Sequence, residues 1–485
     1  MPPVLPRPIV KPWPLLWGTV VVLAVFAGRL WRISSAMGTP SYYYTDSSSH
    51  ILNALWHATG VLKWSFPRVP LAGFLYAAAT RMGLDVFYAA WAVNAALGLM
   101  AVWLLFDAVR RLAGPGAATV SAVLALSVPS FGRLVFSGQT EMTALAFTAL
   151  SFWIACYGLF LDEPSNFWAD LAAFCLLGYA ASVRSDGLGL FGLAGIFLFL
   201  RWRRRPRFWP FFVGAGLVCL YVILPSLMVH GRGASTANAA DQWLSFGQRF
   251  LRLPAWLLKE SFPFNVFLCA GLAHFSGKRF FRPLGWFAVL VLGQAFLLWA
   301  GSWFYLFSWE TERNMNTVLF LAMAPAGAAV WAAASALGRY GMLLGLLLAA
   351  GPVGWSWERA MKEVPARLSL EDHNRGLGRR LRELNAEGKL GRPESLILLE
   401  VADSGWPNVL VFSGMPERFR LLPSTETEWG KVRIWDGRGE AGVAVVSSER
   451  AEKELAEDGG SFERVDVFGD YNILRVGKAP AAPGN

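Results

Sequence analysis

Apolar stretches about 20 residues long, the length a helix needs to cross the hydrocarbon core of a bilayer, recur along most of this chain and then stop. Eleven are legible, at roughly 13–33, 86–108, 117–136, 141–161, 168–183, 187–200, 209–228, 262–276, 284–302, 316–336 and 340–357. The pattern predicts a mainly α, polytopic bundle of about 11 spans over residues 1–357. The segment Val69–Thr80 is apolar but too short to cross, and reads as an interfacial helix. Beyond 357 the rhythm changes. Leu396–Val401, Val409–Phe412, Val443–Val446 and Ile473–Val476 are short apolar runs of the kind that form buried strands, with a helix predicted over Glu449–Glu457. Residues 358–485 therefore read as a small soluble α/β domain with a Rossmann-like layering. It has no GxGxxG, so no nucleotide is expected there.

Composition sharpens this division. The chain is 55% hydrophobic and only 16% charged, against about 25% charged in soluble proteins. Met1–Trp357 holds 12 acids and 25 bases, a balance of +13, and Glu358–Asn485 holds 22 acids and 19 bases, a balance of −3, which together make the +10 of the whole. The basic excess sits in short loops: Arg7 and Lys11, Arg110 and Arg111, the run from Arg201 to Arg207, Lys278 with Arg279 and Arg282, and Arg339. With eleven spans these clusters all fall on one face, which the positive-inside rule makes cytoplasmic. That accounts for a pI near 9.6 without nucleic acid as a partner. The N-terminus is then cytoplasmic, while the outer loop 34–85 and the domain 358–485 lie outside. The first span reads as an uncleaved anchor, since it ends in Arg29 and Arg32 without a small-residue cleavage site. Cys156, Cys175, Cys219 and Cys269 lie in apolar runs without metal-ligand spacing, so neither disulfide nor zinc–thiolate chemistry is expected.

Charged groups near membrane helices are costly, which makes each a functional candidate. On this topology Asp46, Glu141, Asp186, Glu310 and Glu312, with Arg184 and Arg313, gather on the outer rim. Asp46, His50, Asn53 and His57 recur at steps of 4, 3 and 4, one face of a helix. Two readings stand side by side: an amphipathic interfacial helix with Asp46 as N-cap, or a general-base carboxylate assisted by imidazole. A two-histidine zinc site is a third. Glu141 opens a helix, either as a catalytic carboxylate or to offset the helix dipole. Arg184 either grips a phosphate through its planar fork or pairs locally with Asp186, and Arg313 has the same two readings.

The order of these pieces resembles the GT-C glycosyltransferases, the superfamily of the protein O-mannosyltransferases and lipid A aminoarabinose transferases. The matching pieces are the loop acid Asp46, the Pro-Leu segment from Pro70 to Gly83, Arg110–Gly114, Pro129, the acid Glu141, Arg184, and Arg313 ahead of Pro325. The resemblance runs over roughly the first 330 residues. It implies transfer of a sugar from a polyprenyl-phosphate donor to a glycan, lipid or protein acceptor, outside the cytoplasm and in the lipid bilayer. Asp46 and Glu141 would then be the catalytic carboxylates, with Arg184, Asp186, Arg313, His50 and His57 on the substrates. Ser47 and Ser48 stand where many members carry a second acid, which weakens the case for a bound divalent metal; a metal stays an option, and no cofactor is required. A transporter or a non-catalytic scaffold for envelope glycan assembly are the readings from other classes; no internal repeat of the transporter kind is visible.

Overall fold

The computed structural model describes residues 12–37, 45–58, 71–136, 138, 140–158, 167–183, 264–274, 283–303, 311–341, 343–345, 347–355, 372–393, 395–401, 406–423, 441–447 and 462–476. A few isolated positions, 192–193, 247–248, 250–251, 254–255 and 358, are also described. The predicted spans 187–200 and 209–228 and the predicted helix 449–457 lie essentially outside these residues.

Among the described residues eleven helices precede residue 340: α1 (Pro12–Met37), α2 (Thr45–Ala58), α3 (Leu71–Arg81), α4 (Val86–Ala113), α5 (Pro115–Ser127), α6 (Pro129–Phe136), α7 (Glu141–Gly158), α8 (Phe167–Val183), α9 (Phe264–His274), α10 (Pro283–Trp303) and α11 (Thr311–Ser335). Local sequence sets their ends. Asp85 starts α4, its carboxylate accepting the Phe87 amide at 3.0 Å. Gly114, at φ 90°, stops α4, and Pro115 at the first position of α5 restarts the chain. Pro129 interrupts what reads in sequence as one span over 117–136. The structure makes two helices of it, because proline lacks the amide that would continue α5.

Among the described residues three helical segments are long and apolar enough to cross a membrane: Leu15–Ser35, Val86–Ala113 and Thr317–Ser335. Shorter apolar helices include Pro115–Ser127, Glu141–Ile154, Ala288–Ala300 and Leu343–Trp355. Where α5 meets α11 the backbones touch. A Cβ on Gly327 would overlap Ser121, and the Ser121 hydroxyl donates to the Ala324 carbonyl at 3.0 Å, beside Pro325. Small residues let membrane helices approach this closely.

Two compact units emerge. One comprises residues 1–40, 67–72 and 91–364; the other comprises 41–66, 73–90 and 365–485. The second unit thus gathers the loop helix α2, most of α3 and the start of α4 with the C-terminal region.

That C-terminal region holds a five-stranded mixed sheet, β1 (Leu396–Val401), β2 (Phe419–Pro423), β3 (Ala441–Ser447), β4 (Phe462–Phe468) and β5 (Tyr471–Val476), in the order β2-β1-β3-β5-β4. Strands β1, β2 and β3 are parallel, whereas β5 runs antiparallel to β3 and forms a hairpin with β4. Helices α12 (Asp372–Ala386) and α13 (Trp406–Ser413) pack on one another.

Val409–Phe412, which reads as a strand, is the body of α13. Parallel strands cannot be joined by a tight turn, so the chain between β1 and β2 must cross over, most often as a helix. A four-residue apolar run fits either structure until that pairing exists. Gly378 permits the close packing of α12 on α13, since a Cβ there would sit 2.7 Å from the Val409 carbonyl oxygen and 2.9 Å from Phe412.

The hairpin is tied to α12 by Arg380, whose Nε donates to Asp466 Oδ2 at 2.6 Å. Partial burial raises the Asp466 pKa, but the hydrogen bonds from Arg380 and the Val467 amide, with the charges of Arg380 and Lys389, together outweigh it and hold the carboxyl below its ordinary value. A depressed folded-state pKa contributes stability at neutral pH that is lost as pH falls through the acid range. The side chains are 32% and 25% exposed, so the effect should stay below about 1 kcal/mol. Denaturation followed from pH 7 into the acid range should show a shallower loss of stability for Asp466→Asn than for the parent.

Candidate functional site

The candidate residues stand at helix starts, and local chemistry explains why. Asp46 is the second residue of α2, with His50 and His57 further along the same helix, so the predicted shared face exists at the level of the backbone. His50 and Asn53 are buried, at 4% and 3% exposure, as are Ile51, Leu52 and Ala54. The sequence suggests a helix wet on one side; instead His50 and Asn53 of its polar stripe are covered as well. Within the second unit, α2 packs on α13 and on the 3₁₀ turn Pro416–Arg418. On α3, Gly73 lies so near that a Cβ would come 3.4 Å from Asn53 Cβ.

The turn under α2 is rigid for a visible reason. Buried Arg418 donates to Asn385 Oδ1 (2.6 Å) and to the carbonyls of Leu390 (3.1 Å), Arg392 (2.9 Å) and Ser395 (3.0 Å). Nearby, the Phe412 ring of α13 meets Phe87 at 5.1 Å, with the guanidiniums of Arg375 and Arg379 at 5.7 and 5.5 Å. Each of these cation–ring contacts is favourable.

In the first unit, Glu141 begins α7 and is 3% exposed, beside buried Thr140, Met142 and Thr143. Gly138 at φ 66° turns the chain into this helix, and the Thr140 carbonyl accepts the Ala144 amide at 3.0 Å. A carboxylate in the first turn is favoured by the helix dipole, and its burial makes it a functional candidate as well. Arg313 lies in the first turn of α11, which touches α7. Helix α8 ends at Val183, the residue before Arg184; Arg184 and Asp186 themselves are outside the described residues. The side chains of Asp46, His57 and Arg313 are also outside them. Among the described residues no three of His, Cys, Asp and Glu come together as metal ligands.

Arg29, near the end of the first apolar stretch, is 1% exposed, and its Nη2 donates to the Val128 carbonyl at 2.9 Å, across 99 residues of chain. Asn94 of α4, fully buried, donates to the Leu134 carbonyl at 3.4 Å. Thus α6, which leads into the Glu141 turn, is held near both ends by polar groups from other helices. Gly132 makes room: a Cβ there would overlap Ile33 and come within 2.8 Å of Arg29 Nε. The available signal was a charge inside an apolar span. Arg29→Met should cost about 1–3 kcal/mol by stranding a buried carbonyl, seen as a lower thermal midpoint in detergent.

Residues 67–229 match the family model described as dolichyl-phosphate-mannose-protein mannosyltransferase. That match includes Glu141, Arg184 and Asp186, while Asp46, His50, His57 and Arg313 fall outside it. No curated protein sequence matches. The fold matches ArnT from Cupriavidus metallidurans bound to undecaprenyl phosphate, with a TM-score of 0.63 at 14% identity, over 96% of this chain and 98% of that one. The chain has the GT-C fold. The archaeal oligosaccharyltransferase AglB from Archaeoglobus fulgidus, in complex with an inhibitory peptide and a dolichol-phosphate, matches with a TM-score of 0.55 at 10% identity, over 90% of this chain and 70% of that one. The Archaeoglobus fulgidus oligosaccharyltransferase in complex with Zn and sulfate matches at 0.56, with 11% identity, over 91% and 69%. The GT-C fold and the apolar helices together make this a membrane-embedded protein.

Proposed function

We propose that this GT-C protein is a glycosyltransferase that takes a sugar from a polyprenyl-phosphate donor and passes it to a glycan, lipid or protein acceptor outside the cytoplasm. The observation that carries the reading is the match to ArnT along nearly the entire length of both chains. Both ArnT and AglB are described with a polyisoprenoid phosphate, undecaprenyl phosphate in one and dolichol-phosphate in the other.

In the proposed reaction Asp46 takes the proton of an acceptor hydroxyl. The hydroxyl oxygen then bonds to the anomeric carbon as the bond from that carbon to the phosphate oxygen breaks. The polyprenyl phosphate leaves with the electron pair, and the configuration inverts. Arg184 and Arg313 hold the departing phosphate and stabilise its growing charge. Glu141 is the second carboxylate, and Asp186, His50 and His57 contact the substrates. No step is routed through a metal.

We further propose eleven spans, a cytoplasmic N-terminus, a membrane domain over 1–357 and an extracytoplasmic domain over 358–485. Packing of α2 on α13 and on the 416–418 turn supports one side for the loop after α1 and the C-terminal region. An enzyme reporter that works only outside the cytoplasm should be active when fused after Lys478. Activity after Arg205 with silence after Lys478 would reverse the sidedness.

The reaction itself is tested with the full chain in proteoliposomes containing radiolabelled polyprenyl-phosphate sugars. Time-dependent loss of the labelled lipid, release of polyprenyl phosphate and gain of label by an envelope acceptor fraction are expected. Intact donor with movement of sugar or lipid across the bilayer would instead make the protein a transporter.

A further inference from the structure

Several hydroxyls in the helices of this protein donate to their own backbone. Thr19 reaches the Leu15 carbonyl at 2.9 Å, Thr119 that of Pro115 at 3.0 Å, Ser127 that of Val123 at 2.6 Å and Thr148 that of Ala144 at 2.8 Å, each four residues back. Thr143 does not. It is 0% exposed, and among the described residues its Oγ1 has no hydrogen-bond partner. Its place explains this, because Thr143 is the third residue of α7 and position 139, four back, precedes the helix. A buried hydroxyl left without a partner is destabilising. The sequence thus keeps here a donor that the fold does not use.

Packing shows which way this residue faces. Thr143, Phe147 and Ser151 recur at steps of four, on one face of α7. Phe147 meets Tyr179 of α8 with ring centroids 5.1 Å apart, and the Ser151 hydroxyl donates to the Ala173 carbonyl at 2.6 Å. Contacts move up α8 as they move down α7, so the two helices are antiparallel. One more step of four brings Thr143 level with the end of α8 at Val183, after which the chain passes into Arg184. The start of α7 also presents backbone amides that no carbonyl within the helix accepts, and its dipole favours an anion there. Glu141 stands about 200° round the axis from Thr143, on another face of the helix.

We infer that the Thr143 hydroxyl donates a hydrogen bond to a phosphate oxygen of the polyprenyl-phosphate donor, with the phosphate seated between the start of α7 and the end of α8. The phosphate supplies the acceptor that Thr143 lacks. In surroundings of low dielectric such a bond is stronger than the same bond in water. Thr143 then binds substrate on the leaving-group side, apart from the carboxylate role of Glu141. The inference deepens the transfer reaction proposed above and rests on that reading.

The test is equilibrium binding of radiolabelled undecaprenyl phosphate, beside radiolabelled undecaprenol, to the full-length protein in detergent. The parent should bind the phosphate more tightly than the alcohol. Thr143→Val should weaken binding of undecaprenyl phosphate by about 10–100-fold, the effect of losing a hydrogen bond to a charged group, and leave undecaprenol unchanged. Its thermal midpoint without lipid should equal or exceed the parent's, because the unpartnered hydroxyl is gone. Stability and binding then part company, which a residue with only a packing role does not produce. Thr143→Ser and Thr143→Ala both remove the methyl group and differ from each other by the hydroxyl alone. Thr143→Ser should therefore bind the phosphate nearly as the parent does, and Thr143→Ala as weakly as Thr143→Val, so a folding failure of the valine variant does not leave the question open. Undiminished phosphate preference without the hydroxyl would overturn the inference while leaving the proposed donor class in place. So would equal weakening of both lipids, which would make Thr143 a packing residue. Equal binding of both lipids by the parent would instead overturn the donor reading, and the inference with it.

Discussion

Asp46→Asn should lower sugar transfer by about 10²–10⁴-fold, the usual consequence of removing a general base, while the protein inserts and folds as before. Asparagine has nearly the shape of aspartate and can still accept backbone hydrogen bonds at a helix start. Asp46 is the second residue of α2, so a purely local role there is compensation of the helix dipole, which costs about 0.3–1 kcal/mol when lost. Such a loss appears as a small drop in thermal stability and a proportionate loss of folded enzyme. It cannot produce a hundred-fold fall in the rate per folded molecule. The two roles therefore separate when initial transfer rates and thermal unfolding are measured on the same preparation. Near-normal transfer by folded Asp46→Asn protein would remove this residue from the chemistry. Glu141 would then be the remaining catalytic carboxylate, at the buried start of α7.

Arg184→Ala should come next in size. The guanidinium is proposed to hold the donor phosphate both before and during departure, so its loss should raise the donor requirement and slow the transfer step together. Arg184→Lys keeps the charge but loses the two-pronged hydrogen bonding, and should fall between Arg184→Ala and the parent. Acceptor binding should change little in either variant. Pairing of Arg184 with Asp186 two residues later forecasts otherwise: Asp186→Asn would then be as damaging as Arg184→Ala, and both would act by unfolding. Turnover per folded molecule, measured beside the thermal midpoint for each variant, decides between them. Equal destabilisation with unchanged turnover per folded molecule would leave Arg184 as a structural residue.

The residues of the proposed site stand out in the sequence because their types are rare in their surroundings. A carboxylate at the start of α7 or an arginine following α8 is conspicuous in a chain with 16% charged residues, and the helices begin and end at those positions. The spacing of Asp46, His50 and His57 likewise survives as one helix. What the spacing could not supply is the surroundings of that helix. His50 and Asn53 are buried because α2 is packed on α3 and on a turn more than 350 residues away in sequence.

Hydropathy alone determined the apolar helices and their approximate limits. Bilayer thickness sets their length, and each helix satisfies its own backbone hydrogen bonds, so α1, α4 and α11 begin and end within a few residues of the predicted windows. The β1, β3 and β5 segments were legible for a similar reason, as runs of apolar residues bounded by polar ones. Tertiary structure decided everything that depends on a partner distant in the chain. Val409–Phe412 became a helix because β1 and β2 are parallel and require a crossover. Arg29 became a clamp on α6 because Val128 offers a carbonyl at the α5–α6 break. A local pattern fixes which residues want to leave water. Which surfaces they then meet is settled by packing among segments that are remote in sequence.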